Sequence, residues 1–378
     1  MDRRQALFGL AGLAAAPLIG GARRVQDAGD LWTRIRAMGE AIIAEGLTPG
    51  LQISVRQGAD VVFQQGFGQA NVETATPMTA SSVLRIGSLT KQFTAATLLL
   101  LEAEGRLSLT DPLSRFLPDF PRAGDLTLER MLNHTSGLGN YTDAASLNAF
   151  LQAGRPDRSM AEMVEIMKAS PGLQAFEPGT GWAYSNTAYV LLGAVIEKAS
   201  ERRYDVAMKE RLFTPLGLND TAVDDASQIV AQRGSGYTPT LVPGAFQNAS
   251  FISMSYPGAA GSMRSTTTDL CRWHQALLGG KVLSAAALAR MLTPATLTDG
   301  SLPMPGGSPI RYGLGLSIGE AAGRSLISHS GGIQGFSAYL GSYPNDGLSV
   351  ATIVNVDGGP AGARVQAMRV AIRDGLLS

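Results

Sequence analysis

Cysteine and histidine are almost missing from this chain of 378 residues: it has one cysteine, Cys271, and three histidines, His134, His274 and His329. A single cysteine excludes an intrachain disulfide. Its setting, Asp269-Leu270-Cys271-Arg272-Trp273, reads as a helix that buries the thiol. The histidines form no cluster at metal-ligand spacing, so neither a zinc mechanism nor any other cofactor is expected. Charge is scarce too. Asp, Glu, Lys and Arg make up 16% of the residues, with 31 basic and 31 acidic side chains. A net charge of zero with no basic stripe excludes a nucleic-acid surface. No repeat and no low-complexity segment interrupts the sequence. The apolar run from Ala6 to Ile19 is too short to span a bilayer. It follows Arg3-Arg4 and precedes Gly20-Gly21-Ala22, which is the layout of an export leader. Residues 1–28 are read as that leader, of twin-arginine or ordinary secretory type. The expected location is periplasmic or secreted, with no integral membrane segment in the mature chain.

What is present divides by period. Leu31–Glu45 has the pattern of an amphipathic helix. Gly50–Arg56 and Val61–Phe67 read as a hairpin joined through Gln57-Gly58-Ala59-Asp60, followed by a short strand at Val83–Ile86. Phe93–Ala103 is apolar throughout and stops at Gly105, as a buried helix would. Helical patterns then dominate to Pro294, over Ser146–Ala153, Met160–Ala169, Thr187–Ala199, Tyr204–Phe213 and Thr268–Leu278. Strand patterns return at Tyr312–Ile318, Ser325–His329, Ser337–Tyr343 and Leu348–Val354, and Gly362–Leu377 closes as a helix. The order predicts an α/β (α+β) fold with an antiparallel sheet flanked by the terminal helices. Residues 29–110 and 300–378 form the α/β part, and residues 111–299 form an inserted, mostly helical domain. A cleft between two such parts is a favoured substrate site.

Only five lysines occur, and Lys91 alone has a serine three residues before it. On a helix, Ser88 and Lys91 share a face. A serine hydroxyl needs a neighbouring base to attack well, and a buried lysine can serve as one. Ser88 lies where a strand gives way to a helix, beside free backbone N–H groups. Two further motifs follow. Tyr184-Ser185-Asn186 offers a phenol for proton transfer, provided a nearby ammonium lowers its pKa, and an amide for a substrate amide. The bland reading is a helix cap. His329-Ser330-Gly331-Gly332 ends a strand with glycines that let a substrate come close to the backbone. The N–H groups of Gly332 and Ser88 are candidates for an oxyanion hole. The bland reading there is a glycine turn.

Ser-x-x-Lys followed by two such motifs resembles the serine β-lactamase and penicillin-binding-protein superfamily. The likeness is to the branch with class C β-lactamases, D-alanyl-D-alanine carboxypeptidases, D-aminopeptidases and esterases. It extends to Leu132-Asn133-His134-Thr135-Ser136-Gly137-Leu138, Pro178-Gly179 and Gly335-Phe336. The resemblance implies a β-lactamase/transpeptidase-like fold. It also implies a serine hydrolase acting through an acyl-enzyme on Ser88, with Lys91 and Tyr184 as acid/base partners. Which of those two is the general base stays open. Asn186 would contact the acyl side of the substrate, with His329, Ser330, Gly331 and Gly332 at the pocket edge. The substrate would be a small molecule or peptide: a D-amino-acid peptide or a carboxylic ester, with a β-lactam as the alternative. His329 stands where β-lactamases of this branch carry lysine, so a fixed cation is missing. A non-catalytic binder of cell-wall fragments on the same fold is the other alternative, because fold alone does not fix function.

Overall fold

The computed structural model describes residues 20–143, 146–170 and 172–378, with side chains from Gly29 onward. Over residues 1–19, the leader assigned above lies outside the described residues. A seven-stranded sheet organises the rest. Its strand order is Thr76–Pro77, Asp60–Asn71, Gly50–Gln57, Leu348–Val354, Phe336–Tyr343, Arg324–Ile333 and Ser317–Ala321. Every neighbouring pair is antiparallel. The first long strand lies beside the last, with Leu51 opposite Val354, so the sheet joins the two ends of the chain. Gly58 and Gly347 take φ of +57 and +66 in the turns on either side of that junction. Those values suit glycine, which has no β-carbon to clash.

The strands alternate as a two-sided buried sheet must. Leu51, Ile53, Val55, Val350 and Val354 pack with Ile35 and Ile42 of helix Gly20–Ala44 and with Val365, Met368 and Ile372 of helix Ala361–Leu377. The intervening residues face helix Thr267–Leu278. There the Thr267 N–H donates to Gln52 Oε1 at 2.8 Å, and the hydroxyls of Ser54 and Thr267 are 2.8 Å apart. That helix therefore packs directly on the sheet. It starts at Thr266, whose side chain accepts from the Asp269 N–H as an N-cap.

A second and larger core lies beyond this face. Eleven of the fourteen residues of helix Thr90–Ala103 are buried, so it is a central helix with no wet side. It packs against helix Asn186–Ser200, and its Phe93 stacks on the wholly buried Trp273 at 4.3 Å. Two expected strands differ. Over Val83–Ile86 only Leu84–Arg85 is a strand, and it pairs with Met263–Ser265 in a separate small sheet. Over Tyr312–Ile318 the strand starts at Ser317. The preceding residues form a tight turn in which the Gly313 N–H donates to Leu316 O at 2.8 Å and Gly315 has φ +76.

Candidate active site

Ser88 stands in a single 3-10 turn, Gly87–Leu89, that runs into the central helix. Gly87 has φ +51, and a β-carbon there would lie 2.7 Å from Gly332 O. Only glycine lets this turn touch the strand that carries the third motif. The Thr90 hydroxyl fastens the turn from behind, donating to Gly87 O at 2.7 Å and accepting from the Met263 N–H at 3.1 Å.

Lys91 is wholly buried. Its Nζ donates to Asn186 Oδ1 and to Ala260 O, each at 2.8 Å, and lies 3.2 Å from Ser88 Oγ. Burial pushes its pKa well below the ordinary 10.5 because the charged form loses its hydration. A neutral amine has two N–H donors and one lone pair. In that neutral form, with the two carbonyl oxygens taking the donors, the lone pair faces the serine.

Ser185 is the cap of helix Asn186–Ser200, accepting from the Ala188 N–H at 3.1 Å. Asn186 is thereby left free to face inward. Its backbone N–H is held by Asn140 Oδ1 at 3.0 Å, and its Nδ2 donates to Thr142 Oγ1 at 3.3 Å. Tyr184 lies beside this cluster, but not as the sequence suggested. The lysine nitrogen sits over the phenol ring, 4.6 Å from its centroid. Burial pushes the phenol pKa up, with the Ser88 hydroxyl pulling the other way. Its hydroxyl is buried and has no partner of hydrogen-bond geometry. The ring is thus a protonated phenol at neutral pH, and the lysine does not lower its pKa.

The third motif completes the wall. His329 is 6% exposed. One ring nitrogen, Nδ1, meets Ser330 O, which can only accept, so Nδ1 carries the proton. Nε2 then accepts from the Tyr312 hydroxyl at 2.8 Å. Burial, and next the nearby Lys91, lower the His329 pKa to about 4. Ile333 and Phe336 flank a two-residue hairpin turn. Their pair carries the ladder hydrogen bonds, so the N–H and C=O of Gly332 point out of the hairpin, toward Gly87 and Ser88. Gly331 packs against the turn, since a β-carbon there would lie 2.0 Å from Ile86 O and 3.1 Å from Ser88 N.

All eight residues singled out from the sequence meet around Ser88. Three contributors went unrecognised. Tyr312 hydrogen-bonds the His329 ring at Nε2, and its only local signal is its place before Gly313-Leu314-Gly315. The Ala260 carbonyl orients Lys91 from within the small-residue run Gly258-Ala259-Ala260-Gly261. Asn140 positions Asn186 from a loop with no motif at all.

Two cavities meet at Ser88 and Gly332. One, of about 370 Å³, is lined by Asn186 and the aromatic rings of Tyr141, Phe150, Tyr256 and Phe336. The other, of about 520 Å³, is lined by Trp182, Tyr184, Arg311, Tyr312, His329 and Ser330. Asn186 and Tyr184 therefore divide the site into two arms, one on each side of the serine.

Known proteins resemble this chain along most of its length. The family model described as Beta-lactamase matches residues 35–374. A penicillin-binding protein of Bacillus subtilis (strain 168) is 32% identical over 300 residues, which are 76% of this chain and 64% of that protein. The chain spans 58–64% of the length of this relative and of two D-aminopeptidases that it also matches. The crystal structure of a D-stereospecific amidohydrolase from Streptomyces sp. superimposes with a TM-score of 0.75 at 31% identity, covering 89% of this chain and 98% of that one. D-amino acid amidase from Ochrobactrum anthropi SV3, complexed with L-phenylalanine amide, gives 0.78 at 27% identity, covering 91% and 99%.

Proposed function

The chain belongs to the beta-lactamase family, and on that premise we propose that it is a serine hydrolase. It forms an acyl-enzyme on Ser88 and passes the acyl group to water. One observation carries the reading: the Lys91 amine, with two N–H groups committed to carbonyl oxygens, lies 3.2 Å from Ser88 Oγ. Lys91 takes the serine proton as Oγ bonds to the substrate carbonyl carbon. The carbonyl oxygen becomes an anion held by the N–H groups of Ser88 and Gly332. As the intermediate collapses, the bond to the leaving group breaks. Tyr184, kept protonated by its burial, gives that group its proton. The proton on Lys91 then restores the phenol. Water attacks the acyl ester through the same base, and Ser88 leaves with a proton.

The cavity containing Asn186 suits the acyl portion, and the cavity containing Tyr184 and His329 suits the leaving group. The substrate is an amide of a D-amino acid or a carboxylic ester. The likeness to two D-amino-acid amide hydrolases supports the amide. His329, neutral above pH about 4, supplies no fixed cation for the carboxylate of a β-lactam. The test is a panel of a D-aminoacyl amide, a D-Ala-D-Ala peptide, a short-chain nitrophenyl ester and a chromogenic cephalosporin, compared by kcat/KM. Turnover and fluorophosphonate labelling should both vanish in Ser88→Ala, and mass spectrometry should place the acyl adduct on Ser88. Labelling that survives the substitution overturns the assignment.

A further inference from the structure

The aromatic cavity beside Asn186 contains a carboxylate that the fold leaves half used. Asp357 lines it together with Ser88 and Gly332. Its backbone is fixed by donation to Tyr237 O at 3.1 Å. Its Oδ2 accepts from the Gly335 N–H at 2.8 Å, at the tip of the hairpin that begins with the third motif. The other oxygen, Oδ1, is buried and has no hydrogen-bond partner among the described residues. Such an atom is costly, and a structural anchor for Gly335 needs only one acceptor. The ion pairs among the described residues do not include Asp357; the nearby arginines Arg85, Arg233 and Arg264 are committed to Asp224. The same cavity is lined by the aromatic residues Tyr141, Phe150, Tyr256 and Phe336, together with Ile252, Ile333 and Gln334. A carboxylate with an unpartnered oxygen in a cavity beside the nucleophile suits an amine in its charged form.

We propose that Asp357 is a specificity-determining residue of the acyl side: it receives a primary ammonium carried by the acyl portion of the substrate. The proposal rests on the serine-hydrolase reading for the identity of that portion. The ammonium has two possible sources, the free α-amine of a D-aminoacyl group or a side-chain amine, and the test separates them.

Two pairs of para-nitroanilides isolate the charge. D-alanine against N-acetyl-D-alanine tests the α-amine, and N-acetyl-D-lysine against N-acetyl-D-norleucine tests the side chain. In at least one pair the ammonium member should be preferred by roughly tenfold or more in kcat/KM, the size of one charge-assisted hydrogen bond. Asp357→Asn keeps an acceptor for Gly335, so it should erase that preference mainly through KM. The neutral member should change by no more than about twofold. No preference in either pair overturns the proposal, as does a preference that persists in Asp357→Asn. Calorimetry on Ser88→Ala separates this result from failure of the hydrolase reading. D-alaninamide and N-acetyl-D-lysinamide are titrated against N-acetyl-D-alaninamide, with and without Asp357→Asn. If the enzyme turns over none of the anilides, ammonium-selective binding that Asp357→Asn removes still supports the receptor. Binding without charge selectivity overturns it.

Discussion

In the proposed reaction, burial at Lys91 decides which group would act as the base. The sequence left Lys91 and Tyr184 as equal candidates. Desolvation separates them, lowering the amine's pKa and raising the phenol's, because in each case it penalises the charged form. The two shifts favour the lysine as the group that accepts a proton and the tyrosine as the group that gives one. The sign of the pH dependence follows. As pH falls through the depressed lysine pKa, the lone pair facing Ser88 is lost, so kcat/KM for a neutral ester should fall on the acid side. His329, at about 4, stays neutral across the working range, so His329→Gln should leave that acid limb in place. Lys91→Arg keeps a cation that cannot deprotonate and should cost roughly two to four orders of magnitude in ester hydrolysis. A Lys91→Arg variant within about tenfold of the parent would remove the lysine from the base role.

At the scale of elements, the site depends on a strand and a turn pressed together with no side chain between them. Gly331 and Gly332 look alike in sequence and differ in surroundings. A β-carbon on Gly331 would lie 2.0 Å from the Ile86 carbonyl oxygen, whereas one on Gly332 meets nothing within 4 Å. Gly331→Ala should push the strand away from the Ser88 turn, lowering Tm and reducing acyl transfer roughly 100-fold through the displaced oxyanion donors. Gly332→Ala should melt like the parent. Equal melting temperatures for both variants would show that the contact yields without strain. This distinction also marks how far the sequence could be read. The hairpin at Gln57–Asp60, the buried central helix and the strands Leu348–Val354 and Ser337–Tyr343 were legible, since alternation and turn residues are local signals. The pairing of Gly50–Gln57 with Leu348–Val354 and the contact of Ala260 O with Lys91 join residues far apart in the chain. The Tyr312 turn was missed because apolar residues spaced by glycine imitate a strand.

Across the whole molecule, the scarcity of histidine has a consequence for stability. All three are buried, and His134 and His329 both border Tyr184 and Tyr312. His134 accepts from the Ser185 N–H at 3.2 Å, among the rings of Trp182, Tyr184, Tyr189 and Tyr312. His274 bridges Ser342 and Gln92, each at 2.8 Å, and His329 lines the site. Burial lowers the pKa of His274 to about 3, of His329 to about 4, and of His134 well below 6.5. In the unfolded chain all three titrate near 6.5. Between pH about 4 and 6.5 the unfolded chain therefore binds more protons than the native one. Stability rises with pH through that window and is lost as pH falls through it. At pH 5 the loss is about 2 kcal/mol for each of His274 and His329, a sizeable part of the roughly 5–15 kcal/mol of a typical domain. Thermal melts should show a steep drop in Tm between pH 7 and 5 and little histidine-driven change from 7 to 8. His274→Gln can keep both hydrogen bonds without the titration, so it should flatten the acid slope whatever it does to Tm at pH 7. An acid slope as steep in His274→Gln as in the parent would mean that groups other than His274 set the acid limit of the fold.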